Sequence, residues 1–465
     1  MLKKVHRDKT DTICAVSTPV GEGGIGIIRL SGDEAIGIAG RIFKAKNGNS
    51  IEDIPTHTIN YGYIINPETE EVIDEVLLSI MKSPKSYTRE DMVEINCHGG
   101  ILPLKRSIEL LLKYGAKLAE EGEFTKRAFL NGRIDLTQAE AVIDLIRAKS
   151  ESSFKLALNQ LTGRLFRHIR EINDSLVYIL ANIEADIDFS EDDITTLSKG
   201  NTLIDIKRSL KEVERLIDTS EEGRILRDGA VCTIIGRPNV GKSSLLNTLM
   251  RKDRAIVTHI PGTTRDTIEE FITIRDIAVK IIDTAGIREA YDPVEEEGVN
   301  RTYKAIEEAD IILPVIDVSC SLTEEDNILI DRVRDKKKIF ILNKIDLPPV
   351  IEEKWVNNGD PIVKISALHG SGIERLKDVI YRMISSNIDV STKESIIITS
   401  LKHKEALKDT AASLHSLISS IEKRLPAELL AIDLREAINS LGRITGTTTS
   451  EDILDEIFSK FCIGK

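Results

Sequence analysis

The chain has 465 residues, of which 41% are hydrophobic and 30% charged, and a formal net charge of −13 at pH 7. That length is enough for about two to four domains, each with its own core. The negative charge argues against nucleic-acid binding through overall electrostatics, so an RNA contact would need a local basic patch or a partner protein. No apolar segment follows the basic N-terminus and no apolar run could span a bilayer, so we expect neither a secretory signal nor a membrane span.

The cysteines are scattered and form no C-x-x-C pair, so they predict neither a disulfide framework nor a zinc site. Free thiols favour a reducing cytoplasm. For Cys462, a small buried hydrophobe is the default interpretation, and a direct chemical role would need an activated thiolate. The five are Cys14, Cys97, Cys232, Cys320 and Cys462.

Residues 1–123 have the pattern of a small α+β domain without an evident catalytic constellation. Residues 21–26 match G-x-G-x-x-G but run into a strand-like segment, so a glycine-rich connection between two strands is favoured over a dinucleotide site. Ser31 and Glu34 predict a capping box at the start of the next helix. Arg29 is either a solvated strand residue or an anion ligand, and the residues alone favour the former.

Residues 93–98 alternate with period two, which predicts a strand with Glu94, Asn96 and His98 on one face. A lone histidine such as His98 is more often a hydrogen-bonded structural residue than a catalyst.

Two blocks, residues 124–221 and 386–465, repeat apolar residues at helical spacing. Neither block has the length or the turn signals of a complete domain. We expect them to pack together as one helical domain, interrupted by residues 222–385 as an inserted domain.

The segment 222–385 alternates apolar runs with helical patterns, which predicts a mainly parallel sheet with helices on both faces. The chain is therefore expected to be multidomain, with α/β and all-α parts. The predicted strands are residues 231–235, 279–282, 311–316, 339–342 and 362–365.

The first of these strands is followed by G-x-x-x-x-G-K-S at residues 236–243 and then by a predicted helix. Backbone N–H groups of such a loop surround nucleotide phosphates, Lys242 adds a positive charge, and the Ser243 hydroxyl can bind Mg²⁺. The predicted phosphate-binding residues are Asn239, Val240, Gly241, Lys242, Ser243 and Ser244.

Three further motifs follow predicted strands of the same domain. A carboxylate at Asp283 can hold Mg²⁺ through a water, and the Gly286 backbone can approach a γ-phosphate. Asp346 can accept hydrogen bonds from N1–H and the exocyclic amine of guanine, and adenine offers no such pair. In this order the motifs predict guanine-nucleotide binding. The first motif is Asp283, Thr284, Ala285 and Gly286, the second is Asn343, Lys344 and Asp346, and the third is Ser366, Ala367 and Leu368.

The loop at residues 262–266 contains threonines that could complete a Mg²⁺ shell, which makes it a candidate switch. Ile287 stands where many GTPases have the glutamine that orients the attacking water. Another group must then position the water, and the acidic run at residues 295–297 is the first candidate. The alternative for that run is a charged, exposed helix start.

Several stretches outside the GTPase motifs are highly specific, and with them the chain resembles the MnmE (TrmE) family of tRNA-modification GTPases over nearly its full length. They include Y-T-R-E-D at residues 87–91, N-C-H-G-G at 96–100, G-E-F-T-K-R-A-F-L-N-G at 122–132 and the ending at 458–465. The resemblance implies an N-terminal α+β folate-binding and dimerisation domain and a helical domain carrying an inserted Ras-like P-loop GTPase domain.

The resemblance also implies an activity and partners. These are a homodimer and an FAD-dependent MnmG-like protein, in a heterotetramer or larger complex acting on tRNA. Together they would install a 5-carboxymethylaminomethyl or aminomethyl group on the wobble uridine of certain tRNAs. The one-carbon unit would come from 5-formyl- or methylene-tetrahydrofolate, and K⁺ would stimulate GTP hydrolysis.

By motif position, the resemblance assigns roles to individual residues. Glu295 would activate the attacking water, Lys242 would be the other catalytic residue, and Ser243 and Thr264 would bind Mg²⁺. Arg29 is then assigned as an anion ligand, and Glu94 could bind the donor groups of the pterin. The K⁺ ligands would be Asn239, Thr258, Ile260 and Thr263, and the folate residues Arg29, Glu94, Arg133 and Lys465.

Two other functions fit part of the chain. A ribosome-assembly or RNA-binding GTPase would carry a basic RNA-binding domain, but the C-terminal block is helical and mixed in charge. A stand-alone folate-dependent transferase would not explain the intact GTPase motifs.

Overall fold

The computed structural model describes residues 11–188, 199–253, 270–283, 304–351, 359–385 and 396–465. These residues divide into two compact units. One unit comprises Met1–Ile143, Gln160–Leu210 and Asp409–Lys465, and the other Asp144–Asn159 and Lys211–Lys408. Within the described residues, no helix combines the length and the apolar character that a bilayer crossing requires.

The first unit is built on a seven-stranded sheet of order β3-β4-β5-β6-β2-β1-β7, in which only β1 and β7 pair in parallel. Alternate residues of the central strands, such as Leu30, Leu78 and Ile95, are fully buried in one cluster. The strands are β1 (Ile13–Val16), β2 (Ile25–Ser31), β3 (Phe43–Ala45), β4 (Thr58–Ile65), β5 (Val72–Met81), β6 (Met92–His98) and β7 (Lys117–Leu118).

Helices lie between and after these strands. Those of eight or more residues are α1 (Ala35–Ile42), α2 (Ile101–Lys113), α3 (Glu123–Leu130), α4 (Leu136–Arg147), α5 (Glu151–Leu161), α6 (Arg164–Asp188), α7 (Lys199–Asp218), α8 (Ser220–Asp228), α9 (Lys242–Asp253), α10 (Glu324–Arg332), α11 (Ile373–Ser385), α12 (Leu401–Glu422), α13 (Ala427–Thr445) and α14 (Glu451–Phe458). In the first unit α6 packs along α13, and Arg435 Nη2 donates to Glu184 Oε1 across them at 2.7 Å. This packing is what a helical domain divided by an insertion would require.

The start of α1 differs from the prediction. The glycine-rich connection between two antiparallel strands is confirmed, because residues 17–24 join β1 to β2. The capping box is wrong: Ser31 is the last residue of β2, and Glu34 occupies the N-cap position without a side-chain cap. The Ser31 hydroxyl is instead buried within hydrogen-bonding distance of Thr88 Oγ1 (2.6 Å) and Glu90 Oε2 (2.8 Å). The buried carboxylate of Glu90 requires hydrogen-bond donors, because no water can replace them, whereas an exposed helix end can bond to water.

The second unit contains a six-stranded sheet of order β13-β12-β11-β8-β10-β9, with four parallel pairings and one antiparallel pairing. The five predicted strands and the mainly parallel sheet are confirmed. The carboxyl ends of the parallel strands meet at one edge, where such folds bind ligands. The strands are β8 (Ala230–Ile235), β9 (Glu270–Ile274), β10 (Ile277–Asp283), β11 (Ile311–Asp317), β12 (Phe340–Asn343) and β13 (Ile362–Lys364).

The sequence did not predict β9. It pairs antiparallel with β10 through a tight turn formed by Arg275 and Asp276, with φ values of 44° and 70°. Such turns usually contain glycine or asparagine. Because this turn contains neither, the sequence gives no hairpin signal.

Candidate nucleotide-binding and anion-binding sites

The loop that follows β8 has the backbone of a phosphate-binding loop. Asn239 and Gly241 have positive φ, 64° and 102°, and Val240 between them is buried. Successive N–H groups in such a conformation form an anion-binding concavity. The loop leads directly into α9, whose first two residues are Lys242 and Ser243, so a helix N-terminus also faces this site.

Lys242 lies within this loop although it carries a charge. Its side chain is only 7% exposed, and its ammonium donates to the carbonyl oxygens of Gly236 (2.7 Å) and Arg237 (2.8 Å). Backbone carbonyls compensate the desolvation of the ammonium, which holds the positive charge beside the loop.

Asn343, at the end of β12, joins the phosphate loop to the loop after β13. Its Nδ2 donates to the carbonyl oxygen of Val240 at 2.7 Å, and its Oδ1 accepts from the Ala367 N–H at 2.9 Å. A Cβ at Gly241 would lie 2.2 Å from Asn343 Nδ2, so only glycine leaves room for the amide. The sequence assigned this amide to guanine, whereas its described contacts are between two loops of the protein.

Lys344 and Asp346 follow Asn343 at the same edge of the sheet. The ammonium of Lys344 lies 2.6 Å from Asp317 Oδ2, at the end of β11, a contact that the motifs did not predict. Burial alone would raise the pKa of Asp317, but hydrogen bonds from Lys344 and Ser319 outweigh it and lower the pKa below its ordinary value.

The Asp346 carboxylate is held by the loop after β13. A hydrogen bond from Ser366 lowers the pKa of Asp346, so the carboxylate stays ionised and can only accept hydrogen bonds. Ser366 and Ala367 are buried, whereas Leu368 is 77% exposed. The structure thus brings the phosphate loop and the two predicted base-recognition motifs together.

The remaining predicted residues of this site are placed in part. Asp283 is the last residue of β10, beside Ile234 of β8, and Ser244 is an exposed residue of α9. Eight predicted residues lie outside the described residues: Thr258, Ile260, Thr263, Thr264, Thr284, Ala285, Gly286 and Glu295. The candidate switch at residues 262–266 lies outside them as well.

A second candidate site lies on the sheet of the first unit. Arg29 of β2 is directly opposite Glu94 of β6, and its Nε and Nη2 lie 2.9 and 2.8 Å from Glu94 Oε1. Both side chains are half-buried, and Arg29 alternates along β2 with Ile28 and Leu30, which belong to the core cluster on the opposite face of the sheet. The pair offers one cation and one acceptor to a ligand.

Two aromatic rings line this site; both lie in stretches that carry the family resemblance, but neither was assigned to the site from the sequence. The Arg133 guanidinium lies 4.7 Å from the ring centroid of Tyr87, and the Arg29 guanidinium lies 5.9 Å from Tyr87 and 5.7 Å from Phe124. The Tyr87 hydroxyl is 3.0 Å from Thr125 Oγ1, which fixes the ring. Because these rings come from separate segments, only the fold could show that they share the site.

The C-terminal residues complete the site. The Gly464 carbonyl accepts from Arg29 Nη1 (3.1 Å) and Ser17 Oγ (3.0 Å). Lys465 is half-buried, and burial together with the nearby charge of Arg29 lowers its pKa. The site therefore contains all four residues that the resemblance assigned to folate. Cys462 is exposed, so its interpretation as a buried hydrophobe is wrong.

His98 is a hydrogen-bonded structural residue, as predicted. Its Nδ1 lies 2.6 Å from Asp74 Oδ1, and this hydrogen bond raises the pKa of His98. All five cysteines are free in the structure. No group of three or more metal-binding side chains occurs among the described residues.

Comparison with solved structures finds nucleotide-binding proteins that match part of the chain. Era from Aquifex aeolicus bound to GDP.AlF4− is 26% identical, with a TM-score of 0.27, over 39% of this chain and 66% of that protein. The G domain of the T. maritima FeoB iron transporter is 28% identical, with a TM-score of 0.26, over 33% of this chain and 98% of that domain. The family assignment does not depend on these partial matches.

Family models and curated relatives match nearly the whole chain. The family described as GTP-binding protein TrmE N-terminus matches residues 12–133, and the MnmE helical domain matches residues 136–462. The tRNA modification GTPase MnmE of Thermoanaerobacter pseudethanolicus is 49% identical over 98% of this chain and 99% of its own length. The protein of that name from Acetivibrio thermocellus is 49% identical over 98% and 100%. The chain therefore belongs to the MnmE (TrmE) family of tRNA-modification GTPases.

Proposed function

We propose that the chain couples GTP hydrolysis to the modification of the wobble uridine of certain tRNAs. As a member of its family, it is a GTPase of tRNA modification. The observation that carries the proposal is the position of Asn343. Its side-chain amide hydrogen-bonds both Val240 of the phosphate loop and Ala367 of the loop after β13. A guanine nucleotide has its phosphates and its base at these two places.

The residues of the phosphate loop fit GTP and its metal ions. The buried Lys242 ammonium and the start of α9 suit the β- and γ-phosphates, and the Ser243 hydroxyl suits Mg²⁺, with Thr264 as the proposed second ligand. The exposed Asn239 suits a K⁺ ion, with Thr258, Ile260 and Thr263 proposed as further ligands. Bound cations would neutralise charge that develops on the phosphates. Glu295 is the proposed group that positions the attacking water.

The site of the first unit suits a reduced folate that carries the one-carbon unit, 5-formyl- or methylene-tetrahydrofolate. Arg29 and Lys465 are cations beside one carboxylate, Glu94, and Arg133 lies over the ring of Tyr87 in the same site. The carboxylate can accept from the donor groups of a pterin, and the cations can hold the carboxylates of the glutamate tail. Tyr87 and Phe124 add apolar surface for the flat rings.

The proposed assembly is a homodimer that works with an FAD-dependent MnmG-like protein in a heterotetramer or larger complex. The partner would supply the redox chemistry, and this chain would supply the folate and the nucleotide switch. The proposed compartment is the cytoplasm, which suits five free cysteines. No observation favours the ribosome-assembly alternative, since the family matches extend over residues 12–133 and 136–462.

Steady-state GTP turnover in matched KCl and NaCl buffers tests the proposed K⁺ site. We expect turnover to be much faster in K⁺, and equal rates would contradict the K⁺ assignment.

Glu295→Ala should keep GDP affinity while hydrolysis falls by about 10²–10⁴-fold. If hydrolysis survives this substitution, another group positions the water; Glu307→Ala, an exposed change in the same unit, is the matched control.

A further inference from the structure

Two arginines, Arg89 and Arg133, lie next to the proposed folate site. Arg89 and Arg133 are both exposed, and no ion pair joins either one to an acidic side chain among the described residues. Two other exposed cations of this unit do have acidic partners, in the pairs Arg106–Glu71 and Lys113–Glu68. The two guanidinium groups are therefore available to an anionic ligand.

The backbone holds Arg89 in a fixed place. Its φ of 60° is the left-handed conformation that non-glycine residues seldom adopt. Its carbonyl oxygen accepts from Ser83 Oγ at 2.9 Å, and its Nη1 donates to the carbonyl oxygen of Asn131 at 2.9 Å. Strained backbone kept by surrounding hydrogen bonds is typical of ligand sites.

The same contacts place Arg89 beside Arg133. Asn131 Nδ2 donates to the carbonyl oxygen of Thr88 at 2.7 Å, so Asn131 hydrogen-bonds both Thr88 and Arg89. A Cβ at Gly132 would lie 3.6 Å from Arg89 Nη1, and the next residue is Arg133. Arg133 in turn lies over the ring of Tyr87, two residues before Arg89.

A buried network supports this loop from below. Glu90 is 6% exposed and lies 3.2 Å from Arg127 Nη1 and 2.8 Å from the Ser31 hydroxyl. Because the carboxylate of Glu90 is already paired, it does not neutralise its neighbour Arg89. Arg29 and Arg133 both lie against the ring of Tyr87, and Arg89 follows Tyr87 by two residues, so these three cations share one region of the unit.

We propose that Arg89 and Arg133 form a subsite for the second and later γ-linked glutamates of a folate tail, so that the protein prefers a polyglutamylated folate. Guanidinium groups bind carboxylates in a planar, bidentate geometry, and a chain of glutamates supplies carboxylates at successive positions. A short polyanion matches this patch better than an RNA backbone does, because the patch holds only two arginines and the chain carries a net charge of −13. The inference rests on the proposed folate function.

Calorimetric titration of the full-length chain with 5-formyl-tetrahydrofolate, as the monoglutamate and as the triglutamate, tests this inference. The triglutamate should bind about tenfold more tightly at low salt, and the gain should shrink as KCl screens the exposed charges. Arg89→Gln should reduce triglutamate affinity to the monoglutamate level while leaving monoglutamate affinity unchanged. Arg89→Asn repeats the test with a residue that tolerates the left-handed backbone.

Lys85→Ala, an exposed cation of the same loop, is the matched control and should keep the full preference. Equal affinity of the wild type for the two folates would overturn the inference while leaving the folate site intact. Failure to bind either folate would overturn the folate function and this inference with it. If both Arg89 variants keep the triglutamate preference but lose affinity for tRNA, the patch is an RNA contact and the inference is wrong.

Discussion

Asn343 shows how one residue can position a site instead of only contacting a ligand. Its amide satisfies the Val240 carbonyl oxygen and the Ala367 N–H, and it is only 2% exposed. Removing it would leave two polar backbone groups without their partner in a buried place. Such groups cost more than the lost hydrogen bonds themselves.

Asn343→Ala should therefore lower the free energy of unfolding by about 1–3 kcal/mol and weaken GDP and GTP alike, since both loops lose their common support. Thermal melts and titration with a fluorescent GDP measure the two effects. Asn327→Ala, at an exposed position of α10, is the control and should change neither. A variant that keeps wild-type stability would show that the two loops hold their positions without this amide.

The contribution of Asp317 to the free energy of unfolding should depend on pH, and the lowered pKa of Asp317 sets the direction of that dependence. Because the folded-state pKa lies below the ordinary value of about 3.9, its interactions stabilise the fold above that pH and are lost as the pH falls through the folded-state pKa. Asp317→Asn removes this contribution. The difference in free energy of unfolding between wild type and variant should be full at about pH 6 and shrink towards about pH 3.

Urea unfolding across that range measures the difference, with the exposed Asp331→Asn as control. A difference that stays constant with pH would mean that the Lys344–Asp317 contact does not depend on the charge of Asp317.

At the scale of elements, the C-terminal segment acts as part of the sheet site. Ile463 forms an antiparallel bridge with Glu121, and the next residue, Gly464, has φ 89°. A Cβ at Gly464 would lie 2.5 Å from the Val16 carbonyl oxygen, so the segment can take this path only with glycine.

Gly464→Ala should move this segment away from Arg29 and weaken folate binding by about tenfold or more, because the left-handed backbone costs about 1–2 kcal/mol before the clash is counted. GTP turnover should be unchanged, since the substitution lies in the other unit. Gly24→Ala, where a Cβ meets nothing within 4 Å, is the matched control. Folate affinity equal to that of the wild type would contradict the role of the tail.

Two substitutions before α1 distinguish a helix-capping role from a role in buried hydrogen bonding. Ser31→Ala should lower the free energy of unfolding by about 1–3 kcal/mol, because the buried Glu90 loses a donor. Glu34→Gln should be close to neutral, since Glu34 makes no side-chain cap. Chemical denaturation of the two variants compares them. Equal losses would instead support the capping box that the sequence predicted.

At the scale of the whole molecule, the sequence predicted what depends on local pattern. The parallel strands were visible because buried strands are continuous apolar runs, and the GTPase motifs fall at strand ends because the fold places ligands there. The sequence could not predict the hydrogen bonds from Asn343 to two loops or the Lys344–Asp317 contact. Nor could it predict that the rings of Tyr87 and Phe124 lie in one site. Each of these joins segments that are distant in sequence, so their meeting depends on the tertiary fold.

The residues of the phosphate loop and the residues proposed to bind folate lie in different compact units. The proposed function therefore requires that loss of GTP hydrolysis in one unit stops chemistry that depends on the other. Lys242, whose ammonium lies in the phosphate loop, is the residue that we propose to replace in order to remove that hydrolysis.

The most direct test is mass spectrometry of wobble uridines in tRNA from cells whose sole copy of the protein carries Lys242→Ala. We expect loss of the 5-carboxymethylaminomethyl or aminomethyl modification, whereas Lys336→Ala, at an exposed lysine of the same unit, should leave it intact. Unchanged modification in a Lys242→Ala protein confirmed not to hydrolyse GTP would contradict the coupling of GTP hydrolysis to tRNA modification.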